Sequence, residues 1–257
     1  MLHGLACALC NVQEPDNINR AEIDEAVAIC RRILEDCVTD EIRYYTKETL
    51  CYIYSEYLKE PQKALEIADS MPKLFHSSNI LKRNILKGHM KLKQSQENIE
   101  LMTDLLYFDI LEIADINCEN GNDIPVKVKI QIVEKSIKLL ELIYDDGVYN
   151  FYEVRMANSY GKIAYLYLLE NDYDKALENL EKMAEHAVKY DLLPAKQNYS
   201  AVLVDRLVFD KNVYHAVTTH NESYRILNSY LPQKIYDPIR ETKRFKAIVA
   251  KLKQHAR

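Results

Sequence analysis

The stretch Ala157–Tyr190, ANSYGKIAYLYLLENDYDKALENLEKMAEHAVKY, decides how the chain is read. Tyr160, Ile163, Ala164 and Tyr167 recur at helical spacing and share one face. Asn171-Asp172 marks a turn. Ala176, Leu180, Met183, Ala184 and Ala187 then line one face of a second helix. The small residues Ala164 and Ala176 would let the two helices approach closely. Such a pair cannot bury its apolar face alone, so it implies neighbours of the same kind.

The spacing resembles a tetratricopeptide repeat, W-x2-L-G-x2-Y followed by A-x3-F and P. Tyr160 stands in the Trp slot, Ile163 in the Leu slot and Ala164 in the Gly slot. Tyr167 and Ala176 are the residues of the pattern itself. Leu180 replaces the aromatic residue and Val188 the closing Pro. A second repeat-like pair covers 41–71, with Pro61 at a first-turn position and Ala64-x3-Ala68 repeating the second-helix spacing. Its first helix departs from the pattern, with Glu48 in the Trp slot and Tyr52 in the Gly slot.

Outward from these pairs the chain reads as helix almost throughout. Helices are expected over Leu2–Val12, broken by Pro15-Asp16-Asn17, and over Ala21–Cys37. A long helical region runs from Asn79 to about Asn117, kinked or divided near Gly88, and Glu119–Asp123 is a loop. Ile124 or Pro125 opens a helix that Asp145-Asp146-Gly147 ends. Further helices are expected over Ala195–Phe209 and Glu222–Leu231, with Lys211–Asn221 irregular between them. Asp237-Pro238 caps a last helix, 239–254, whose charged outer side suits the end of a solenoid. The fold class expected is all-α: a tetratricopeptide-like superhelix of antiparallel helix pairs, in one domain over 1–257.

Composition narrows the function. Five Gly and seven Pro in 257 residues favour long helices with few tight turns, and the 19 Tyr read mostly as packing residues between layers. A net charge of −5 argues against the whole chain binding nucleic acid. No run of about 18 apolar residues suggests a membrane span. The apolar start MLHGLACALC lacks the basic leader of a signal peptide, so the expected location is the cytoplasm. Of the six Cys, Cys7-x-x-Cys10 with Cys30 or Cys37 would be the sharpest metal reading. Zinc asks for two such short pairs and only one exists, so buried free thiols are expected and no metal. No phosphate-binding glycine loop, G-x-S-x-G or H-E-x-x-H occurs, and the seven His are scattered, with surface or capping roles expected. Neither an enzyme nor a cofactor is expected.

What remains is a surface. In stacked helical pairs the first helices line a concave side. Tyr45, Glu48 and Tyr52 in one pair, Arg155, Asn158 and Lys162 in another, and Asn198 beyond are the candidate groove residues for a protein or short peptide. Tyr gives contact area at little entropic cost, and Asn can bond an extended backbone.

Three segments resemble the C-terminal region of Xre-type transcription regulators of Firmicutes. They are Ile42–Pro72, IRYYTKETLCYIYSEYLKEPQKALEIADSMP, then Leu142–Asp191, LIYDDGVYNFYEVRMANSYGKIAYLYLLENDYDKALENLEKMAEHAVKYD, and Tyr236–Lys253, YDPIRETKRFKAIVAKLK. The likeness spans most of 42–253. It implies a tetratricopeptide-like regulatory domain that binds a signalling peptide or pairs with a second copy as a homodimer. DNA would be reached only through a helix-turn-helix domain, which no stretch of this chain provides. A general scaffold for a protein partner unrelated to transcription is the alternative reading.

Overall fold

The structure is a computed structural model, and it describes residues 2–11, 19–72, 77–115, 124–214 and 220–257. The breaker at residues 15–17, the loop at 119–123, Cys118, His76 and His215 lie outside the described residues. The chain divides into two compact units, 1–81 and 82–257.

In the first unit α1 (Leu2–Asn11), α2 (Arg20–Asp36), α3 (Asp40–Tyr52) and α4 (Pro61–Asp69) pack successively. Asn19 caps α2 by accepting from the Ala21 amide, and α2 buries one face at helical spacing, Ile23, Ala26, Val27, Cys30 and Ile33. The last turn of α3 widens into a π-helical turn, Ile53–Tyr57. Lys59 then adopts a left-handed conformation ahead of Pro61 at the start of α4. Ala6, Cys10, Ile23, Ala26, Cys30, Leu50, Ile53 and Ala64 form one apolar cluster.

Helix α5 (Ser78–Ile85) straddles the division, and Gly88 (φ +55°) separates it from α6 (Gly88–Asp115). Within the second unit α6 packs on α7 (Val126–Ile143), α7 on α8 (Tyr152–Leu169), and α8 on α9 (Tyr173–Leu192). The α8–α9 turn is built as its sequence suggests. Asn171 takes the left-handed conformation (φ +58°), and Asp172 caps α9 by accepting from the Lys175 amide. Ala157, Ala164, Ala176, Ala184 and Ala187 are completely buried in one cluster with Leu180, Met183, Ile226 and Phe245.

A close approach occurs at Gly161. A Cβ there would lie 3.0 Å from Sδ of Met183 on α9 and 3.3 Å from the Tyr230 hydroxyl. The resemblance puts Ala164 in the glycine slot, and the glycine itself stands one turn earlier.

Three expectations are corrected beyond α9. Residues 195–209 are not helical: β1 (Lys196–Asn198) pairs antiparallel with β2 (Val208–Asp210). Buried Leu207 and Phe209 flank exposed Val208, the two-residue alternation of a strand. Lys196 closes the open end on Asp210 at 2.8 Å. Where an irregular stretch was expected from Lys211, a short helix α10 (Lys211–Tyr214) follows, and α11 (Glu222–Arg225) continues as a π-helical stretch, Ile226–Tyr230.

The third correction concerns Asp237-Pro238, which sits inside a 3-10 helix, Lys234–Ile239. The last helix, α12 (Lys243–His255), starts later and is capped by Thr242, whose hydroxyl accepts from the Phe245 amide. Arg240 is part of this turn, donating to the carbonyls of Leu231, Pro232 and Gln233 at 2.9 Å each. Arg244 reaches back to α9 and holds Glu181 through two bonds of 2.8 and 2.9 Å.

Two measurements test this packing. Gly161→Val puts branched carbons into the Met183–Tyr230 contact and lowers stability by about 2 kcal/mol, read as a fall in urea midpoint at constant slope. Gly161→Ala recovers about 1 kcal/mol of helix propensity and stays close to wild type. Arg244 holds the Glu181 carboxyl below its usual range. A depressed carboxylate stabilises above its unfolded value and loses that contribution as pH falls through the folded one. Both side chains are more than a third exposed, so the pair contributes at most about 1 kcal/mol. Arg244→Gln is therefore less stable than wild type at neutral pH, and the gap closes as pH falls below about 4.

Candidate binding groove

Helices α6 and α8 touch in matching order along their lengths. The Tyr152 hydroxyl donates to the Glu100 carbonyl (3.2 Å), and Arg155 pairs with Asp104 (3.3 Å). The Tyr107 hydroxyl donates to the Arg155 carbonyl (2.8 Å), and Lys162 pairs with Asp115. Both residue series ascend, so α6 and α8 run in the same direction. The segment after α11 follows suit on the other flank. Arg225 donates to the Asn158 side-chain oxygen (2.8 Å), and Tyr230 packs at Gly161. Three parallel helical runs, α6, α8 and 222–230, thus stand side by side.

Between them lies a groove with a volume of about 660 Å³. Asn158, Lys162, Tyr165 and Leu166 of α8 form its floor, Leu111 and Asp115 one wall, and Tyr230 and Gln233 the other. This is within the size range of small-ligand clefts. Lys129, at the start of α7, also lines it. Just beyond, the Arg155 guanidinium lies over the Phe108 and Phe151 rings at 4.4 and 5.0 Å. Burial pushes the Tyr107 phenol up to about 12, so it stays a neutral donor at every physiological pH. A buried hydroxyl relay locks this wall: Ser136 of α7 donates to the Val133 carbonyl, Ser159 of α8 lies 2.8 Å from Ser136, and Tyr107 of α6 lies 3.1 Å from Ser159.

Asn158 and Lys162 therefore sit side by side in the groove, with Arg155 one turn before them. Asn198 stands apart on the exposed edge of β1, where its carbonyl accepts from Asn150 at 3.5 Å. Tyr45, Glu48 and Tyr52 belong to the first unit. They share the exposed face of α3, with Tyr45 against the His3 ring and Tyr52 edge-on to Tyr57.

Sequence reasoning missed the groove's partners. Asp104 and Asp115 belong to no motif, yet each pairs with a cation of α8. Arg225 and Tyr230 carry no motif; only proximity in the fold brings them to Asn158 and Gly161. It also missed a buried polar pair between α8 and α9. His186, expected at the surface, is buried, and its Nδ1 lies 2.5 Å from a carboxylate oxygen of buried Glu153. Tyr160 stacks on the imidazole (centroids 5.4 Å, 13°), and Tyr149 meets it edge-on. The repeat spacing hides this pair, because 153 and 186 lie on opposite arms of the hairpin.

Among the described residues, no group of three or more His, Cys, Asp or Glu is arranged to hold a metal ion. Among the same residues no helix is long and apolar enough to cross a membrane. No family model, curated protein or solved structure matches the chain.

The Glu153–His186 pair is open to a double-mutant cycle. His186→Leu leaves a carboxylate buried without its partner and costs about 3 kcal/mol by urea unfolding. Adding Glu153→Leu recovers a large part of that loss, giving a coupling of at least about 1 kcal/mol.

Proposed function

We propose that the chain is a noncatalytic regulatory module that binds a protein segment or short peptide, built as a tetratricopeptide-like superhelix. The observation carrying this reading is the groove floored by α8, with α6 and 222–230 running parallel on either side. Parallel first helices lining one face are what stacked helical pairs produce. The groove mixes the chemistry an extended peptide needs. Tyr165, Tyr230 and Leu166 offer apolar and aromatic contact, Asn158 offers an amide, and Lys129 and Lys162 offer cations. Ion pairs at Arg155–Asp104 and Lys162–Asp115 fix the walls before a ligand arrives, which lowers the ordering cost of binding.

The likeness to Xre-type regulators supports placing this module in transcription control. There it would act as the effector half beside a helix-turn-helix reader. In that setting the bound peptide would bias the module between states, and DNA would be contacted by the reader alone.

A displayed library of random eight-residue peptides, selected on the purified full chain, tests the binding reading. Selected peptides bind wild type and lose about tenfold or more in Kd against Lys162→Ala and Asn158→Ala, each verified as folded by circular dichroism. Equal binding to wild type and both variants would overturn the assignment of this groove.

A further inference from the structure

Helix α1 gathers three reactive heteroatoms in the first unit. Sγ of Cys7 lies 3.6 Å from Nε2 of His3, one turn earlier, and 3.8 Å from Oγ1 of Thr49 on α3. Nε2 of His3 is also 3.1 Å from that hydroxyl. Thr49 donates its own proton to the Tyr45 carbonyl at 3.0 Å, so it can only accept from His3. The proton of the imidazole is thereby held on Nε2, the nitrogen nearer the Cys7 sulfur. A thiolate at Cys7 would share this N–H with the Thr49 oxygen, and a neighbouring imidazole donor favours a reactive cysteine.

The other thiols of the unit differ. Cys7 is half-buried, whereas Cys10 and Cys30 are buried. Burial pushes the Cys10 thiol up and takes Cys30 to about 12, with neighbouring cysteines adding to both. Cys51 is raised by burial as well. Cys37 is half-buried, and its sulfur donates to the Thr39 carbonyl, at 3.9 Å. Cys7 alone of these thiols combines exposure with a hydrogen-bonded imidazole. Cys10 lies one helical turn from it, and helix geometry puts the Cα atoms of positions i and i+3 about 5 Å apart, a separation that a disulfide spans.

We propose that Cys7 is an oxidation site for hydroperoxides, positioned by His3 and resolved by Cys10. The Cys7 thiolate attacks the distal peroxide oxygen, the O–O bond breaks, and the leaving alkoxide or hydroxide takes a proton. Cys7 becomes a sulfenic acid and the peroxide is reduced to an alcohol or water. The Cys10 sulfur then attacks the sulfenic sulfur, forming the disulfide and releasing water. A dithiol reductant restores both thiols. The site is independent of the groove on α8, and it gives the unpaired Cys7-x-x-Cys10 motif a role that needs no metal.

The test treats the reduced full chain with substoichiometric hydrogen peroxide, then maps each cysteine by mass spectrometry. Cys7 is oxidised about tenfold or more faster than Cys37, a Cys7–Cys10 disulfide is the first product, and dimedone traps Cys7 in Cys10→Ser. His3→Gln slows Cys7 about fivefold or more and leaves Cys37 unchanged. If that variant opens α1, shown by faster labelling of Cys30, Thr49→Val is read in its place, with the same slowing expected. Cys7 reacting no faster than Cys37, a first disulfide to another cysteine, or a Cys7 rate indifferent to the readable variant would overturn the proposal.

Discussion

Alanine sits on the facing sides of α8 and α9 where any larger residue would hold the helices apart. Ala157, Ala164, Ala176, Ala184 and Ala187 have no exposed surface. Close approach buries Leu180 and Met183 between the arms, and dense packing of this kind fixes the hairpin more tightly than its helix propensities could. The Asn171–Asp172 turn sets the register, since one residue needs a left-handed backbone and the next supplies the cap. Once α9 holds the inner face of α8, the opposite face is free to meet α6 and 222–230. The groove is a consequence of the hairpin.

Polar groups then specify which arrangement of helices is adopted. The Tyr107–Ser159–Ser136 relay ties α6, α7 and α8 at one level, and Glu153–His186 ties α8 to α9 at another. Each would leave a buried donor or acceptor unsatisfied if the helices slid by one turn. Neither contributes as much net stability as the apolar clusters beside it. Their effect is to make the alternatives costly, and that keeps Asn158 and Lys162 on an open surface instead of within the core.

Much of this was legible in the sequence, for physical reasons that particular residues display. The α8–α9 pair announced itself because apolar period, breaker and cap agree. Gly88 divided α5 from α6 as its position implied, and α2 buried the face its period marked. The strands at 196–210 were misread because two three-residue strands offer too short an alternation to compete with helical spacing. Asp237-Pro238 looks like a cap, but it lies inside a 3-10 helix that Arg240 ties to the carbonyls of residues 231–233, and the last helix starts after Thr242. In the groove, the periodicity of α8 placed Asn158 and Lys162 on one face. Their partners Asp115 and Arg225 come from elements separated from α8 by dozens of residues, and no local pattern encodes a long-range ion pair. His186, expected in a surface or capping role, is hidden from sequence for the same reason, since its partner Glu153 lies on the other arm.

Ligand recognition on the outer face of α8 is the central claim. A crystal structure of the full chain with a library-selected peptide bound tests this most directly. The account predicts peptide density lying between α6 and 222–230, with a peptide group in hydrogen-bond contact with Asn158 or Lys162. Density on another face, with the α8 groove closed or empty, would contradict it.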